Sequence, residues 1–330
     1  VAKNISDPYP QFGVFDILVD PNIARLMTNQ IVTKIVGPSL DTVSLPERPD
    51  RFELLGPARP NMTRTAPVTQ ALNLVIVPNE KAMAQRGADE IQAVLRREDN
   101  PVLGLATGGT MEHLYPEVVR RFHAAKASFR DATTFNLDEY FPPPSSAQSY
   151  RHFMNEKLFF HVDLNLTPIE GGRWGQTHIP DPSTSSNSIG ESCLAYEQAI
   201  VRAGGIDLQI LGIGTNGHIG FNEPGTTPWS RTRVVKLSEE TRAANARHFG
   251  SINDVPQFAI TMGISTILEA DAIVLLASGA SKAAAVRRAL TGPIAADCPA
   301  SWLRLHPRVT FIVDSAAAQQ LPPELTTSPA

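Results

Sequence analysis

From about residue 71 onward, short β-branched or apolar runs alternate with amphipathic stretches, and this alternation restricts the fold more than any other feature of the chain. The runs fall at residues 72–77, 102–107, 133–138, 206–214, 258–262, 272–277 and 309–314. Helical patterns occupy 80–97, 110–125, 149–160, 188–203 and 281–290. Runs this continuously apolar suit strands buried on both faces, and their alternation with helices predicts a parallel sheet. The expected fold is α/β, a three-layer α/β/α arrangement with a mainly parallel, Rossmann-like sheet. In such sheets ligands bind beyond the carboxyl ends of the strands. No internal repeat interrupts the pattern, and residues 180–188 read as a polar, Ser-rich loop.

Residues 1–70 differ. They hold nine of the 27 prolines, a density that breaks helices and central strands. One helix is expected over 21–36, with Pro21 in its first turn. The chain is therefore divided into an N-terminal extension, 1–70, and a main domain, 71–330. The extension carries seven acidic and seven basic residues, and the whole chain has a formal net charge of −4, which argues against nucleic acid as a partner. A mildly acidic background still permits a small anion to bind where a few cations are focused. No apolar run approaches the roughly 18 residues of a membrane span, and the first residues lack the basic and apolar sections of a signal peptide, so the cytoplasm is the expected location. The two cysteines, Cys193 and Cys298, lie outside metal-ligand spacing and read as free buried thiols of a reducing compartment.

Three stretches at the ends of expected strands carry polar chemistry. Thr107-Gly108-Gly109-Thr110 leads from a strand into a helix, where glycines admit a ligand to the backbone and a helix N-terminus offers unpaired N–H groups. It has neither the lysine of a P-loop nor the spacing of a dinucleotide fingerprint, and by itself fits a tight turn as well as an anion site. Asp138 and Glu139 close another strand. Neighbouring side chains in an extended chain point to opposite faces, so the two carboxylates are expected to do different things. The third stretch, residues 212–225, follows an apolar strand and reads GIGTNGHIGFNEPG, with four glycines in its first nine residues and Asn216, His218, Asn222 and Glu223 among them. A histidine with a nearby carboxylate is a proton-transfer pair near neutral pH.

These segments resemble the glucosamine-6-phosphate deaminase (isomerase) family. The matching pieces, in family order, are ATGGT, TFNLDEY, GIGTNGHIGFNEPG, SRTR at 230–233, the AN-x-RHF-like segment at 244–249, SGASKA at 278–283 and LRLHP at 303–307. They span about residues 71–315. Related 6-phosphogluconolactonases share the fold and the Gly-His pair, but continue differently where this chain has Phe221-Asn222-Glu223-Pro224. The resemblance implies aldose–ketose isomerisation and deamination of glucosamine 6-phosphate to fructose 6-phosphate and ammonia, with no metal and no cofactor. It assigns a phosphate clamp to Thr107, Gly108, Gly109, Thr110, Arg247 and Lys282. Removal of the C2 proton falls to Asp138, with Glu139 as support behind it. Ring opening falls to His218, oriented by Glu223 and Asn216, and an active-site lid is expected over 237–255.

Two positions depart from a well-known family pattern. Asn216 stands where that pattern has Asp, so His218 is expected to rely more on Glu223. Val235 stands where regulated members carry a basic residue, with Lys236 one step further on. A one-residue shift in an extended segment turns a side chain to the other face, which implies loss of allosteric activation by an amino-sugar phosphate. The alternatives are a deaminase of another amino-sugar phosphate, such as galactosamine 6-phosphate, and a silent sugar-phosphate sensor. Whether the chain forms a homo-oligomer is left open, since the extension suits either mediating or blocking contacts.

Overall fold

The computed structural model describes residues 73–326 except 125–126, 145, 167, 170–172, 175 and 182–188. The extension 1–70, with its helix expected at 21–36, and most of the Ser-rich loop at 180–188 thus lie outside the described residues. The strands are β1 (Asn73–Val77), β2 (Val102–Leu105), β3 (Thr133–Asn136), β4 (Asp138–Phe141), β5 (Pro168–Ile169), β6 (Arg173–Trp174), β7 (Thr177–His178), β8 (Leu208–Leu211), β9 (Arg233–Lys236), β10 (Phe258–Thr261), β11 (Ile273–Ala277) and β12 (Val309–Asp314). The helices that frame them are α1 (Glu80–Arg97), α2 (Met111–His123), α3 (Tyr150–Lys157), α4 (Ile189–Arg202), α5 (Glu239–Asn245), α6 (Ile264–Leu268), α7 (Ala283–Thr291) and α8 (Ser315–Ala318).

The large sheet runs in the order β1-β12-β11-β8-β2-β3-β7-β6-β5. Its pairings from β1 to β7 are all parallel, and only the short β7-β6-β5 edge is antiparallel. With helices on both faces this is the expected three-layer α/β/α architecture. The central strands β2, β8 and β11 are buried at every position, because helices cover both of their faces and leave no polar side to alternate with. Burying each Leu, Ile or Val there contributes about 1.5–3 kcal/mol.

Helix α1 shows how local sequence sets an element. Asn79 caps it, accepting from Ala82 N at 3.0 Å, and Glu80 and Arg96–Arg97 place charges that suit the helix dipole. Met83, Ala84, Gly87, Ala88, Ile91 and Val94 recur at helical spacing and are the buried face. No helix among the described residues is long and apolar enough to cross a membrane. Both cysteines are free and buried.

One expected member of the large sheet belongs elsewhere. The run at 258–262 forms β10, the centre of a second, antiparallel sheet in the order β4-β10-β9. It reads as apolar because it is covered as a central strand, and that pattern does not reveal strand direction. The run at 133–138 also divides. β3 ends at Asn136 and β4 begins at Asp138, so Asp138 and Glu139 open a strand of the small sheet instead of closing one of the large sheet.

Candidate active site

In the large sheet, β2 leads on to β3 in one direction, while β8 leads to β11 in the other. The chain therefore diverges between β2 and β8, a switch point that opens a crevice at the carboxyl ends of the strands. The segments that follow β2, β3, β8 and β11 carry residues 106–110, Asp138 at the start of β4, 212–225 and 278–282, which are the segments singled out in the sequence.

The loop after β8 is organised around His218. The ring Nδ1 lies 2.8 Å from Asn216 Oδ1, and the backbone N–H of His218 donates to the same oxygen at 3.1 Å. Asn216 Nδ2 donates in turn to Glu223 Oε2 at 2.8 Å. A carboxylate only accepts, so it fixes the amide with its nitrogen toward Glu223 and its oxygen toward the ring. That oxygen requires a proton on Nδ1, which leaves Nε2 as the free lone pair. Glu223 itself stands 3.7 Å from Nδ1. Asn216 bridges the two, because its amide offers an acceptor to one and a donor to the other. Burial pushes the His218 pKa below its usual value, Glu223 and Glu240 act to raise it, and Lys282 lowers it further. Gly214 is required beneath the ring, since a Cβ there would overlap the imidazole.

Asp138 is 5 % exposed, and one of its oxygens lies beside Gly220 of the same loop. Burial, with the Glu139 charge adding to it, pushes its pKa up to about 8. Glu139 points the other way, as strand alternation requires. Its carboxylate accepts from Tyr140 N at 2.9 Å and from Tyr150 N and Arg151 N at 3.0 Å each, so it caps α3.

The residues expected to bind phosphate converge on the N-terminus of α2. No acceptor among the described residues takes the backbone N–H groups of Gly108, Gly109 or Thr110. The guanidinium of Arg247 reaches over this loop, with Nη2 3.2 Å from where a Cβ on Gly109 would sit. Lys282 is half-buried, and burial together with Arg247 lowers its pKa. Among the described residues neither cation has a carboxylate partner. A guanidinium over free N–H groups, with a second cation near it, is an arrangement that suits an anion. Thr107 lies beside Tyr150 at the start of the same loop.

Arg247 belongs to a segment, 237–257, that connects β9 to β10 as the loop of an antiparallel hairpin, closed at its base by Leu237 N donating to Gln257 O at 2.8 Å. Phe249 of this segment packs edge-on against Tyr140, with ring centroids 5.2 Å apart.

The family of glucosamine-6-phosphate isomerases and 6-phosphogluconolactonases matches residues 79–311. The glucosamine-6-phosphate deaminase of Rhodopirellula baltica is 50% identical over 251 residues, covering 76% of this chain and 96% of the relative. That of Colwellia psychrerythraea is 45% identical over 251 residues, covering 76% and 90%. The chain belongs to this family. Among solved structures, a monomeric glucosamine-6-phosphate deaminase is 43% identical with a TM-score of 0.70, covering 76% of this chain and 100% of that one. A 6-phosphogluconolactonase from Thermotoga maritima, 20% identical with a TM-score of 0.56 over 74% of this chain and 100% of that one, shares the family fold.

Within this family framework, Ser238 and Thr241 were not legible as site residues. Both donate hydroxyls to Glu223 Oε1, Ser238 at 3.0 Å. Ser238 followed by two glutamates signals a helix start, but nothing in the sequence says which carboxylate that start faces.

Proposed function

We propose that the chain converts glucosamine 6-phosphate to fructose 6-phosphate and ammonia, with a catalytic domain spanning about 71–330. The observation that carries this reading is 45–50% identity to glucosamine-6-phosphate deaminases over nine-tenths or more of their length. The geometry agrees with each requirement of the reaction. The sugar's phosphate is held by the N–H groups of 108–110, Arg247 and Lys282. His218, neutral and with Nε2 free, takes the proton of the C1 hydroxyl and delivers it to the ring oxygen, which opens the ring. Asp138 then removes the C2 proton. Its raised pKa makes it a stronger base than an exposed carboxylate, and the ammonium group of a bound amino sugar helps keep it ionised. Proton return at C1 gives an imine at C2, and water releases ammonia and leaves the ketose.

The test is ammonia release from glucosamine 6-phosphate and from galactosamine 6-phosphate, beside hydrolysis of 6-phosphogluconolactone. Turnover of the first in clear preference to the others is expected. Lactone hydrolysis without ammonia release, or no turnover of any of the three, would defeat the proposal.

A further inference from the structure

Both oxygens of the Glu223 carboxylate are occupied. Oε2 accepts from Asn216 Nδ2 at 2.8 Å, while Oε1 accepts from Ser238 Oγ at 3.0 Å and from Thr241 Oγ1. The two hydroxyls come from outside the catalytic loop. Ser238 is the N-cap of α5, and Thr241, 3 % exposed, stands in its first turn. The Ser238 hydroxyl serves at both ends, since its oxygen accepts from Thr241 N at 3.1 Å while its proton goes to Glu223. A further bond joins the same two segments, from Thr215 Oγ1 to Glu240 Oε1 at 2.9 Å. At its other end α5 runs directly into the turn Ala246–His248, which carries Arg247. One short helix therefore grips the carboxylate of the proton relay at its start and presents the guanidinium of the phosphate clamp at its end.

We propose that Ser238 and Thr241 are positioning residues for ring opening: they fix Glu223, and through Asn216 the Nδ1–H tautomer of His218, while the root of the lid is seated on the catalytic loop. This rests on the reading of His218 as the ring-opening acid–base group. Without the hydroxyls the carboxylate keeps one donor, Asn216, and is free to turn toward Nδ1, only 3.7 Å away. A direct carboxylate contact favours the protonated ring and lowers the fraction of molecules with a neutral Nε2 base. Of the charged groups facing His218, Glu240 stays tied to Thr215 and Lys282 stays in the clamp, so Glu223 is the group that changes. The lid root thereby links phosphate capture to readiness of the ring-opening base.

The deciding variant is Thr241→Val, which keeps shape and removes one hydroxyl. Its kcat for ammonia release is expected to fall on the order of 10- to 100-fold, the scale of a misplaced catalytic group. KM should stay within about threefold, because the groups that bind phosphate are untouched. The acid limb of kcat/KM should move to higher pH. In the substrate-free protein, the 15N-resolved imidazole of His218 should titrate at higher pH than in the wild type. Thr241→Ser, which restores the hydroxyl, should recover all of these. A Thr241→Val protein with wild-type kcat, acid limb and imidazole titration overturns the proposal, as does failure of Thr241→Ser to rescue. If the wild type releases no ammonia from amino-sugar phosphates, the functional reading fails instead, and the imidazole titration still decides whether the lid root governs His218.

Discussion

At the scale of single residues, the site places two titratable groups in opposed environments. Burial raises the Asp138 pKa to about 8 and lowers that of His218. A carboxyl whose folded pKa exceeds its unfolded value costs stability as pH rises from the unfolded toward the folded pKa. Asp138→Asn should therefore melt higher than the wild type, with a gap that widens between pH 5 and pH 8, while ammonia release falls by roughly 10²–10⁴. Melting curves at the two pH values and a turnover assay check both halves, and near-normal turnover would remove Asp138 from the mechanism. Asn216→Asp should act on the other group. A carboxylate beside Nδ1 favours the protonated imidazole, so the acid limb of kcat/KM should shift to higher pH. An unmoved limb would mean that His218 does not set it. Asp138, His218 and Glu223 stand out in the sequence as polar groups in short motifs at the ends of apolar runs, while the roles expected of them came from the family resemblance. Asn216 was expected to orient His218, but its second bond, to Glu223, was not, since motif spacing does not reveal how the side chains of one loop pair with each other.

At the scale of elements, the adjacent carboxylates Asp138 and Glu139 separate because β4 turns them to opposite sides. Glu139 faces the first turn of α3 and satisfies the N–H groups of Tyr150 and Arg151. Glu139→Gln keeps one acceptor oxygen and sets an amide N–H₂ against backbone donors. We expect it to lose about 1–3 kcal/mol, seen as a lowered Tm, with KM little changed. A large rise in KM at unchanged Tm would instead place Glu139 on the substrate. The hairpin loop 237–257 is the second element that matters. Arg247→Ala should raise KM for the sugar phosphate and weaken competitive inhibition by inorganic phosphate, with a smaller effect on kcat. The helix boundaries were well read, because caps and apolar spacing are local. The assignment of β10 to the small sheet was not, because a covered strand looks the same in either direction.

At the scale of the whole molecule, two sheets meet at the site. The parallel sheet supplies residues 106–110 and the loop bearing His218, and the antiparallel sheet supplies Asp138 and the segment bearing Arg247. Val235 lies half-buried against the small sheet's apolar cluster and Lys236 is exposed, as their alternation along β9 requires. Initial rates are therefore expected to rise linearly at low substrate, without activation by N-acetylglucosamine 6-phosphate. Sigmoidal rates or clear activation would contradict this. By itself the sequence determined the α/β class, the main strands of the parallel sheet and its longer helices, because periodicity, capping and glycine requirements act over a few residues. Only the tertiary structure decided that the 133–138 run divides between two sheets, that Asn216 stands between His218 and Glu223, and that the start of α5 grips Glu223. Those contacts depend on how one glycine-rich loop folds on itself and on how it packs against the segment after β9, and no local pattern encodes that.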